Sequence, residues 1–216
     1  MIHKIYRSEL KLIYTSIEEA YVRNLVDNLV GIHRQHPDRR ISSIYFDTNK
    51  LDSAKDNITG ISQRIKYRYR YYDNDIEFGK LEKKIKNNKL GTKEHFDIKN
   101  INSSSSASSV SEFINEFDRN MQPYRSITKI SYFRSYFANN KIRVTIDTDI
   151  HFTTLEEKEC LSKEATIFYP YVILELKFDP SKINELKNYI LALDKTPSRH
   201  SKYLASLSKL GLTQYI

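Results

Sequence analysis

Polar and apolar side chains alternate with a period of two between residues 61 and 72. The isoleucine and tyrosine side chains fall on one face and favour extended backbone, so the pattern predicts a β-strand. The other face carries four cations, Arg64, Lys66, Arg68 and Arg70. Neighbouring cations on one face of a strand are about 7 Å apart, and like charges at that distance repel one another. This face is therefore either open to water or suited to binding a polyanion.

The same period predicts about seven further strands, at residues 5–14, 41–47, 78–86, 93–98, 127–138, 141–150 and 171–178. Asp73-Asn74-Asp75 and Asn139-Asn140 are typical of tight hairpin turns, and we expect positive φ at the asparagine pair. Residues 48–60 are predicted to form a polar turn region that ends at Gly60.

A period of 3.6 residues replaces the alternation elsewhere and predicts helices that start at Ser16, Ser109, Pro180 and about Lys202. The first two starts are capping boxes, Ser16-x-x-Glu19 and Ser109-x-x-Glu112, whose side-chain oxygens accept from free backbone N–H groups. Gly31 and Pro37 are expected to end the first helix, and Gly211 the last.

Strands follow one another in hairpin order instead of alternating with helices, which indicates an antiparallel sheet. The sequence therefore predicts a single α+β domain over residues 1–216, built as an antiparallel β-barrel, or tunnel, of about eight strands with flanking helices. A serine-rich surface loop is predicted at residues 102–109.

The amino-acid composition limits the kinds of partner that this protein is expected to bind. The 216 residues carry a formal net charge of +8, which favours anionic partners. The single cysteine, Cys160, excludes an internal disulfide and a multi-cysteine zinc site. The charged N-terminus does not resemble a signal peptide, and no apolar run approaches the length of a membrane span. We therefore expect a cytoplasmic protein with no membrane segment of its own.

Sequence motifs for other kinds of binding or catalytic site are weak or absent. With five glycines the chain has neither a P-loop nor a dinucleotide-binding motif, so side chains would have to bind phosphate. His33-x-x-His36 is more often a surface pair than a metal site, and the acidic surroundings of Cys160 disfavour a reactive thiolate. The tyrosines at 61–72 could stack on RNA bases, although packing in a core is their commoner use.

The charged strand faces favour the polyanion over bulk water. Solvent faces usually mix serine, threonine, glutamate and lysine, whereas these faces are rich in arginine, which suits bidentate phosphate contacts. Carboxylates lie close to cations on several strands, as metal ligands beside phosphate ligands would. If the sheet closes, these faces line a wet interior, and a bound anion would offset the cost of enclosing the cations.

Eight segments carry a family resemblance, in order along the chain. They are Arg7-Ser-Glu-Leu-Lys11, Ser43-Ile-Tyr-Phe-Asp47, Lys66-Tyr-Arg-Tyr-Arg-Tyr71, Leu81-Glu-Lys-Lys84, Tyr132-Phe-Arg134, Ile142-Arg-Val-Thr-Ile-Asp147, Ile173-Leu-Glu-Leu-Lys177 and Ser201-Lys-Tyr203. In this order and spacing the chain resembles the VTC-type polyphosphate polymerase domain, a branch of the triphosphate tunnel metalloenzymes that is related to the CYTH phosphatases.

The resemblance implies a basic tunnel that binds ATP and polyphosphate, with Mn²⁺ or Mg²⁺ as cofactor. It implies catalytic phosphate ligands at Lys11, Arg68, Arg70, Lys84, Arg134 and Arg143. Further substrate-binding residues are expected at Arg7, Arg64, Lys66, Lys86, Lys177, Lys202 and Tyr132. Glu175 is the implied metal-binding carboxylate, with Glu9 and Glu82 as helpers.

The implied activity is transfer of the terminal phosphate of ATP to a growing polyphosphate chain. The chain has Arg7-x-Glu9-x-Lys11 where CYTH phosphatases carry Glu-x-Glu-x-Lys, so one carboxylate fewer is present and hydrolysis is less expected. The SPX domain and membrane helices of eukaryotic polymerases have no counterpart, so export would need a membrane-protein partner. A tripolyphosphatase or nucleoside triphosphatase and a non-catalytic polyphosphate- or RNA-binding module remain alternatives, with nucleic acid the less favoured ligand.

Overall fold

Nine strands and five α-helices make up the described part of the chain, which in this computed structural model is residues 8–87, 90–98, 106–118, 122–155 and 165–212. The strands are β1 (Ser8–Thr15), β2 (His33–Thr48), β3 (Gln63–Tyr72), β4 (Asp75–Asn87), β5 (Leu90–Phe96), β6 (Tyr124–Ala138), β7 (Ile142–Thr154), β8 (Thr166–Tyr169) and β9 (Tyr171–Phe178). The helices are α1 (Glu19–Asp27), α2 (Asp52–Thr59), α3 (Ser106–Phe117), α4 (Lys187–Leu191) and α5 (Lys202–Lys209). The predicted α+β class is confirmed.

Two compact units divide the chain, and each is described by itself. The first unit takes residues 1–40, 132–150 and 168–200, and its strands follow the order β1-β9-β7-β6. The second unit takes residues 41–131, 151–167 and 201–216, and its main strands follow the order β2-β3-β4-β5.

The sheet is antiparallel but open. The strand order ends at β1 and at β5, and no pairing joins these two strands within the described ranges. The predicted antiparallel sheet is therefore correct, but its predicted closure into a barrel is wrong for the described strands. Alternation identifies the two faces of a strand, but it carries no information about which strand pairs with an outer edge.

The first unit buries one face of its sheet beneath α1 and α4. Val22 and Val26 of α1 are fully buried against Leu12, Val144 and Leu174 of the sheet. The predicted cap lies one residue earlier than expected, because the backbone N–H of Thr15 donates to the Glu18 carboxylate at 2.7 Å. A short 3-10 helix at Ser16–Glu18 then leads into α1.

Strand β2 begins at His33, about eight residues before its predicted start, and runs through Pro37. Proline fits extended backbone where its missing N–H is not needed by a neighbouring strand. Gly31 has a φ of +72°, so the chain reverses there between α1 and β2. The sequence had suggested that Pro37 ends the first helix. Pro37 instead lies within β2.

Alternate tyrosines of β3 form the core of the second unit. Tyr67 and Tyr69 are at most 1% exposed and pack in one cluster with Val110 and Ile114 of α3. Gly79 on β4 is required by this packing, because a Cβ atom there would lie 2.4 Å from the Tyr69 ring. The prediction that these tyrosines serve the core, and not base stacking, is confirmed.

Three local predictions are corrected. Helix α2 occupies most of the region predicted as a polar turn. Asn139 and Asn140 have no positive φ; the turn is held instead by Asn139 Oδ1, which accepts from the N–H groups of Lys141 and Ile142 at 2.8 and 2.9 Å. Helix α3 starts at Ser106, ahead of the predicted capping box, so residues 106–109 are helical, and residues 102–105 of the predicted loop lie outside the described ranges.

The described helices are short, and none combines the length and apolar character that a bilayer crossing demands. The helix predicted from Pro180 is divided into a 3-10 turn at Pro180–Lys182 and α4. Helix α5 ends as predicted before Gly211, whose φ is +73°.

Candidate functional site

Each unit presents one charged sheet face, and together these faces hold every predicted site residue except Arg7, which lies outside the described residues. The cationic face of the second unit is defined by Arg64, Lys66, Arg68, Arg70, Lys80, Glu82, Lys84, Lys86, Lys93 and, on α5, Lys202. The mixed face of the first unit is defined by Glu9, Lys11, Tyr132, Arg134, Arg143, Glu175 and Lys177.

Cations stand directly opposite cations on the cationic face. The antiparallel register of β3 and β4 pairs Arg64 with Lys86, Lys66 with Lys84, and Arg70 with Lys80. Like charges directly opposite each other on neighbouring strands destabilise a sheet. Three of the four charged positions paired between these strands therefore set two cations against each other.

Glu82 is the exception on this face and takes the position opposite Arg68. Its side chain is 6% exposed and accepts from Arg68 Nε and from Lys93 Nζ. Burial acts to raise the pKa of Glu82, but Arg68, Arg70 and Lys93 outweigh it and lower the pKa to about 2. Glu82 therefore holds two cations in place.

Lys93 belongs to this face although the sequence analysis did not select it. It lies on β5 opposite Lys84, and burial lowers the pKa of its ammonium group to about 8. Burial, with Lys84 and Arg64 close by, likewise lowers the pKa of Lys66 to about 8. Lys93 continues the two-residue alternation of a short predicted strand, and that was the one signal available for it.

The segments 43–47 and 201–203 fix the helices beside this face. Asp47, at the end of β2, accepts from the N–H groups of Ser53 and Ala54 of α2 at 2.9 and 3.1 Å. Tyr203 of α5 donates its hydroxyl proton to the same carboxylate at 2.8 Å. Lys202 is thereby held at the start of α5 as part of the face.

Charges alternate in sign on the mixed face. The register of β1 and β9 sets Glu9 opposite Lys177 and Lys11 opposite Glu175. Within each strand Lys11 pairs with Glu9 at 2.8 Å, and Lys177 pairs with Glu175. Each carboxylate therefore has a lysine beside it along the strand and another across it.

Glu175 is the most enclosed carboxylate of this set, with 7% of its side chain exposed. Burial acts to raise its pKa, but Lys177, Arg134 and Lys11 outweigh burial and lower the pKa to about 2. The pKa of Glu9 is also lowered, because Lys11 and Lys177 outweigh burial and the repulsion from Glu175. Both carboxylates are therefore ionised at neutral pH.

Arg134 is held by a partner that the sequence analysis did not assign to the site. Its Nε and Nη2 atoms donate to the two oxygens of Asp147 at 2.6 and 2.7 Å, and Asp147 is fully buried. The guanidinium carbon lies 5.2 Å from the centre of the Tyr132 ring. Asp147 was visible on the charged side of its strand, but the alternation alone does not indicate its partner.

A divalent cation fits the mixed face in part. The described residues contain no group of three or more His, Cys, Asp or Glu side chains able to hold a metal, and of the three predicted carboxylates Glu82 belongs to the second unit. Glu9 and Glu175 do lie on paired strands. Thr145, directly opposite Glu175, has a buried hydroxyl without a hydrogen-bond partner. Mg²⁺ is commonly held by one or two carboxylates together with substrate phosphates, and this oxygen donor set suits that arrangement.

Comparisons with known proteins identify the family and the fold. Residues 6–211 match the family model of the VTC domain. A candidate adenylate cyclase from Vibrio parahaemolyticus is similar in structure, with a TM-score of 0.54 and 14% identity over 93% of this chain and 98% of that one. A candidate adenylate cyclase from Bacillus halodurans gives a TM-score of 0.55 and 10% identity over 92% and 97%.

A protein from Pyrococcus horikoshii is also similar, with a TM-score of 0.53 and 12% identity over 94% of this chain and 99% of that chain. The comparison with curated proteins gave no match. At such low identities, the three structural likenesses establish the fold alone.

Proposed function

The chain belongs to the VTC domain family, and from that premise we propose that it is a metal-dependent polyphosphate polymerase, which transfers the terminal phosphate of ATP to a growing polyphosphate chain. The cationic face is the observation that carries the proposal. Three cation pairs stand directly opposite each other there, with Glu82 as the carboxylate between them. A chain of linked phosphates supplies negative charge at regular intervals, which is what such a face lacks.

The reaction needs positioning and charge neutralisation more than acid–base chemistry. A terminal oxygen of the polyphosphate chain attacks the γ-phosphorus of ATP, the bond from that phosphorus to the β–γ bridging oxygen breaks, and ADP leaves with the electron pair. The attacking oxygen carries no proton at neutral pH, so no general base is required. Arg68, Arg70 and Lys84 would hold two anions that otherwise repel each other.

On the mixed face, Glu175 and Glu9 are the residues that would hold Mn²⁺ or Mg²⁺, which would neutralise charge at the transferred phosphate. Arg134 and Arg143 would bind phosphate oxygens beside them. Since Asp147 and Tyr132 already fix Arg134, it would contact phosphate with little loss of side-chain freedom.

Transfer to phosphate is favoured here over hydrolysis. A hydrolase benefits from a base that takes a proton from water, and efficient bases have a pKa near the working pH. Glu175 has a pKa of about 2, and the pKa of Glu9 is also lowered. Both are therefore weak bases, which supports a phosphate acceptor in place of water.

The deciding experiment incubates the protein with ATP and Mn²⁺ and separates the products on a urea gel. We expect long polyphosphate chains and ADP. Orthophosphate without chains would mean a triphosphatase, and binding of polyphosphate without turnover would mean a non-catalytic module. Either result would refute the polymerase. Because ATP is the proposed donor, we propose a cytoplasmic site of action; the described residues offer no support for a membrane-protein partner.

A further inference from the structure

The Tyr45 hydroxyl of β2 lies among hydrogen-bond donors. Its oxygen accepts from Arg68 Nη1 at 3.3 Å. Its ring stacks on the ring of Tyr203, with centroids 5.1 Å apart and planes 8° apart, so the direction of the hydroxyl is fixed. Arg70 and Lys202 are the other cations that act on it. Arginine and lysine side chains have no acceptor atoms, so none of these neighbours can take the phenolic proton.

The nearby carboxylates are already engaged. Asp47 accepts from Tyr203 and from the backbone N–H groups of Thr48, Ser53 and Ala54. Glu82 accepts from Arg68 and Lys93. Within the described part of the chain, Tyr45 thus has a hydrogen bond to its oxygen but no acceptor for its proton. Tyr45 is only partly buried, so water can accept this proton in the unliganded protein, and an acceptor oxygen of a bound ligand would take the place of that water.

We propose that the Tyr45 hydroxyl donates a hydrogen bond to a phosphate oxygen of the anion bound on the cationic face, so that Tyr45 is a further substrate-binding residue. Phosphate oxygens are acceptors, and Arg68 and Arg70 would hold one within reach of the phenol. This inference rests on the proposed function, because it names a ligand of the same face.

The same cations control the protonation of the phenol. Burial acts to raise the pKa of Tyr45, but Arg68, Arg70 and Lys202 outweigh burial and lower the pKa to about 8. Lys66 also acts on this phenol, and Asp47 and Arg125 act on the hydroxyl of the stacked Tyr203. The lowered pKa means that part of the unliganded protein carries a Tyr45 phenolate at mildly alkaline pH, and the phenolate occupies cations that phosphate needs.

Binding of phosphate returns the proton to Tyr45. The added negative charge raises the pKa of the phenol, and the phosphate oxygen accepts a hydrogen bond only from the neutral form. Addition of tripolyphosphate at pH 8 should therefore lower the tyrosinate absorbance of the wild-type protein. The same addition to Tyr45→Phe should leave the absorbance unchanged, as should addition to wild type at pH 6.

Affinity for tripolyphosphate should show the same linkage. At pH 7, calorimetry should find Tyr45→Phe about tenfold weaker than wild type, because one hydrogen bond to a charged group is lost. At pH 9 the difference should narrow, since wild-type Tyr45 is then ionised. Tyr189→Phe, which removes an exposed phenol of the first unit that bonds to the Val30 carbonyl at 2.8 Å, is the matched control and should bind as wild type does.

The outcomes separate this inference from the proposed function. If Arg70→Gln loses binding but Tyr45→Phe binds tripolyphosphate as tightly as wild type at pH 7, the face binds phosphate and the role of Tyr45 is refuted. If Arg70→Gln and wild type bind tripolyphosphate equally, the proposed use of the cationic face fails as well. If Tyr45→Phe does not fold, the wild-type absorbance test is repeated from pH 7 to 10, and no fall in absorbance on binding anywhere in that range refutes the role of Tyr45.

Discussion

The two charged faces treat enclosed charge in opposite ways. On the mixed face each carboxylate has its own lysine, as in the pairs of Glu9 with Lys11 and Glu175 with Lys177. On the cationic face the register sets cation against cation, and Glu82 alone interrupts the pattern. The first arrangement sets opposite charges against each other, whereas the second sets like charges against each other, and we propose that an external anion completes it. Variants that remove a carboxylate from the mixed face or a cation from the cationic face test this difference.

The largest effect is expected from Glu175→Gln on the mixed face. The amide keeps the shape of the side chain but removes the negative charge that would hold a divalent cation. We expect Mn²⁺-dependent turnover of ATP to fall about a thousandfold, while calorimetry still finds tripolyphosphate bound. Glu185→Gln, which alters an exposed ion pair with Lys141, is the control. Wild-type turnover by Glu175→Gln would refute the metal assignment.

Asp147→Asn should remove the negative charge that neutralises Arg134 on the mixed face. The buried Arg134 guanidinium would lose the charge of its bidentate partner, and an uncompensated buried cation costs about 3 kcal/mol. Urea unfolding should detect this loss of stability. Asp38→Asn alters another arginine–carboxylate pair, in which Arg34 Nη2 donates to both oxygens of Asp38 at 2.9 Å, but Arg34 is 53% exposed. That variant should lose less than about 1 kcal/mol, and equal losses would contradict the comparison.

Arg70→Gln should weaken anion binding by the cationic face without much change in the fold. Arg70 Nε donates to Ser43 Oγ at 3.2 Å, whereas Arg68 Nε donates directly to Glu82. Loss of its charge should raise the Kd for tripolyphosphate about thirtyfold. Lys80, directly opposite, has a 60% exposed side chain paired with Asp97 at 3.4 Å. Lys80→Gln should therefore change the Kd about threefold at most.

The smallest effect, and the most diagnostic, is expected from Lys66→Met. Removing one of the crowded cations should stabilise the unliganded protein by about 1 kcal/mol at pH 7 while weakening tripolyphosphate binding several-fold. The pH dependence has a definite sign. The pKa of about 8 in the folded state lies below the ordinary value of 10.5, so Lys66 makes the wild type gain stability between pH 8 and about 10.

Lys66→Met should lose that alkaline gain, and saturating tripolyphosphate should remove it from the wild type by keeping the ammonium charged. Urea unfolding at pH 7 and 9.5, with and without tripolyphosphate, measures both effects. A variant less stable than wild type at pH 7 would show that Lys66 is already neutralised within the protein, and the cationic face would not need an anion.

Much of the fold was readable from alternation, and the family was readable from the order of the eight motifs. Strand β3 lies close to its predicted range because its tyrosines share a single buried face. Helix α2 was missed because its buried residues are Ser53 and Ala54, which give no apolar stripe. The early start of β2 was missed because residues 33–38 are exposed and polar, which looks like a turn when strand pairing is unknown.

The members of the site were predictable, but their partners were not. The alternation of side chains along each strand shows that Arg134 and Asp147 lie on charged faces. The family resemblance suggests a role for Arg134. That Asp147 holds Arg134, or that Lys93 reaches Glu82, depends on the register between strands. Register follows from packing across the sheet and leaves no local trace in the sequence.

Strand β1 also has a consequence for how the nascent chain folds. The second unit links β2, β3, β4 and β5 in chain order, so its hairpins can form as they leave the ribosome. Strand β1 must wait for β9, since Ser8 pairs with Phe178 and Thr15 with Tyr171. Its other edge is covered later still, when the N–H of Ser198 reaches the Lys11 carbonyl at 2.8 Å. The earliest strand is thus among the last to be protected, and such long-range closure slows folding and prolongs exposure to aggregation.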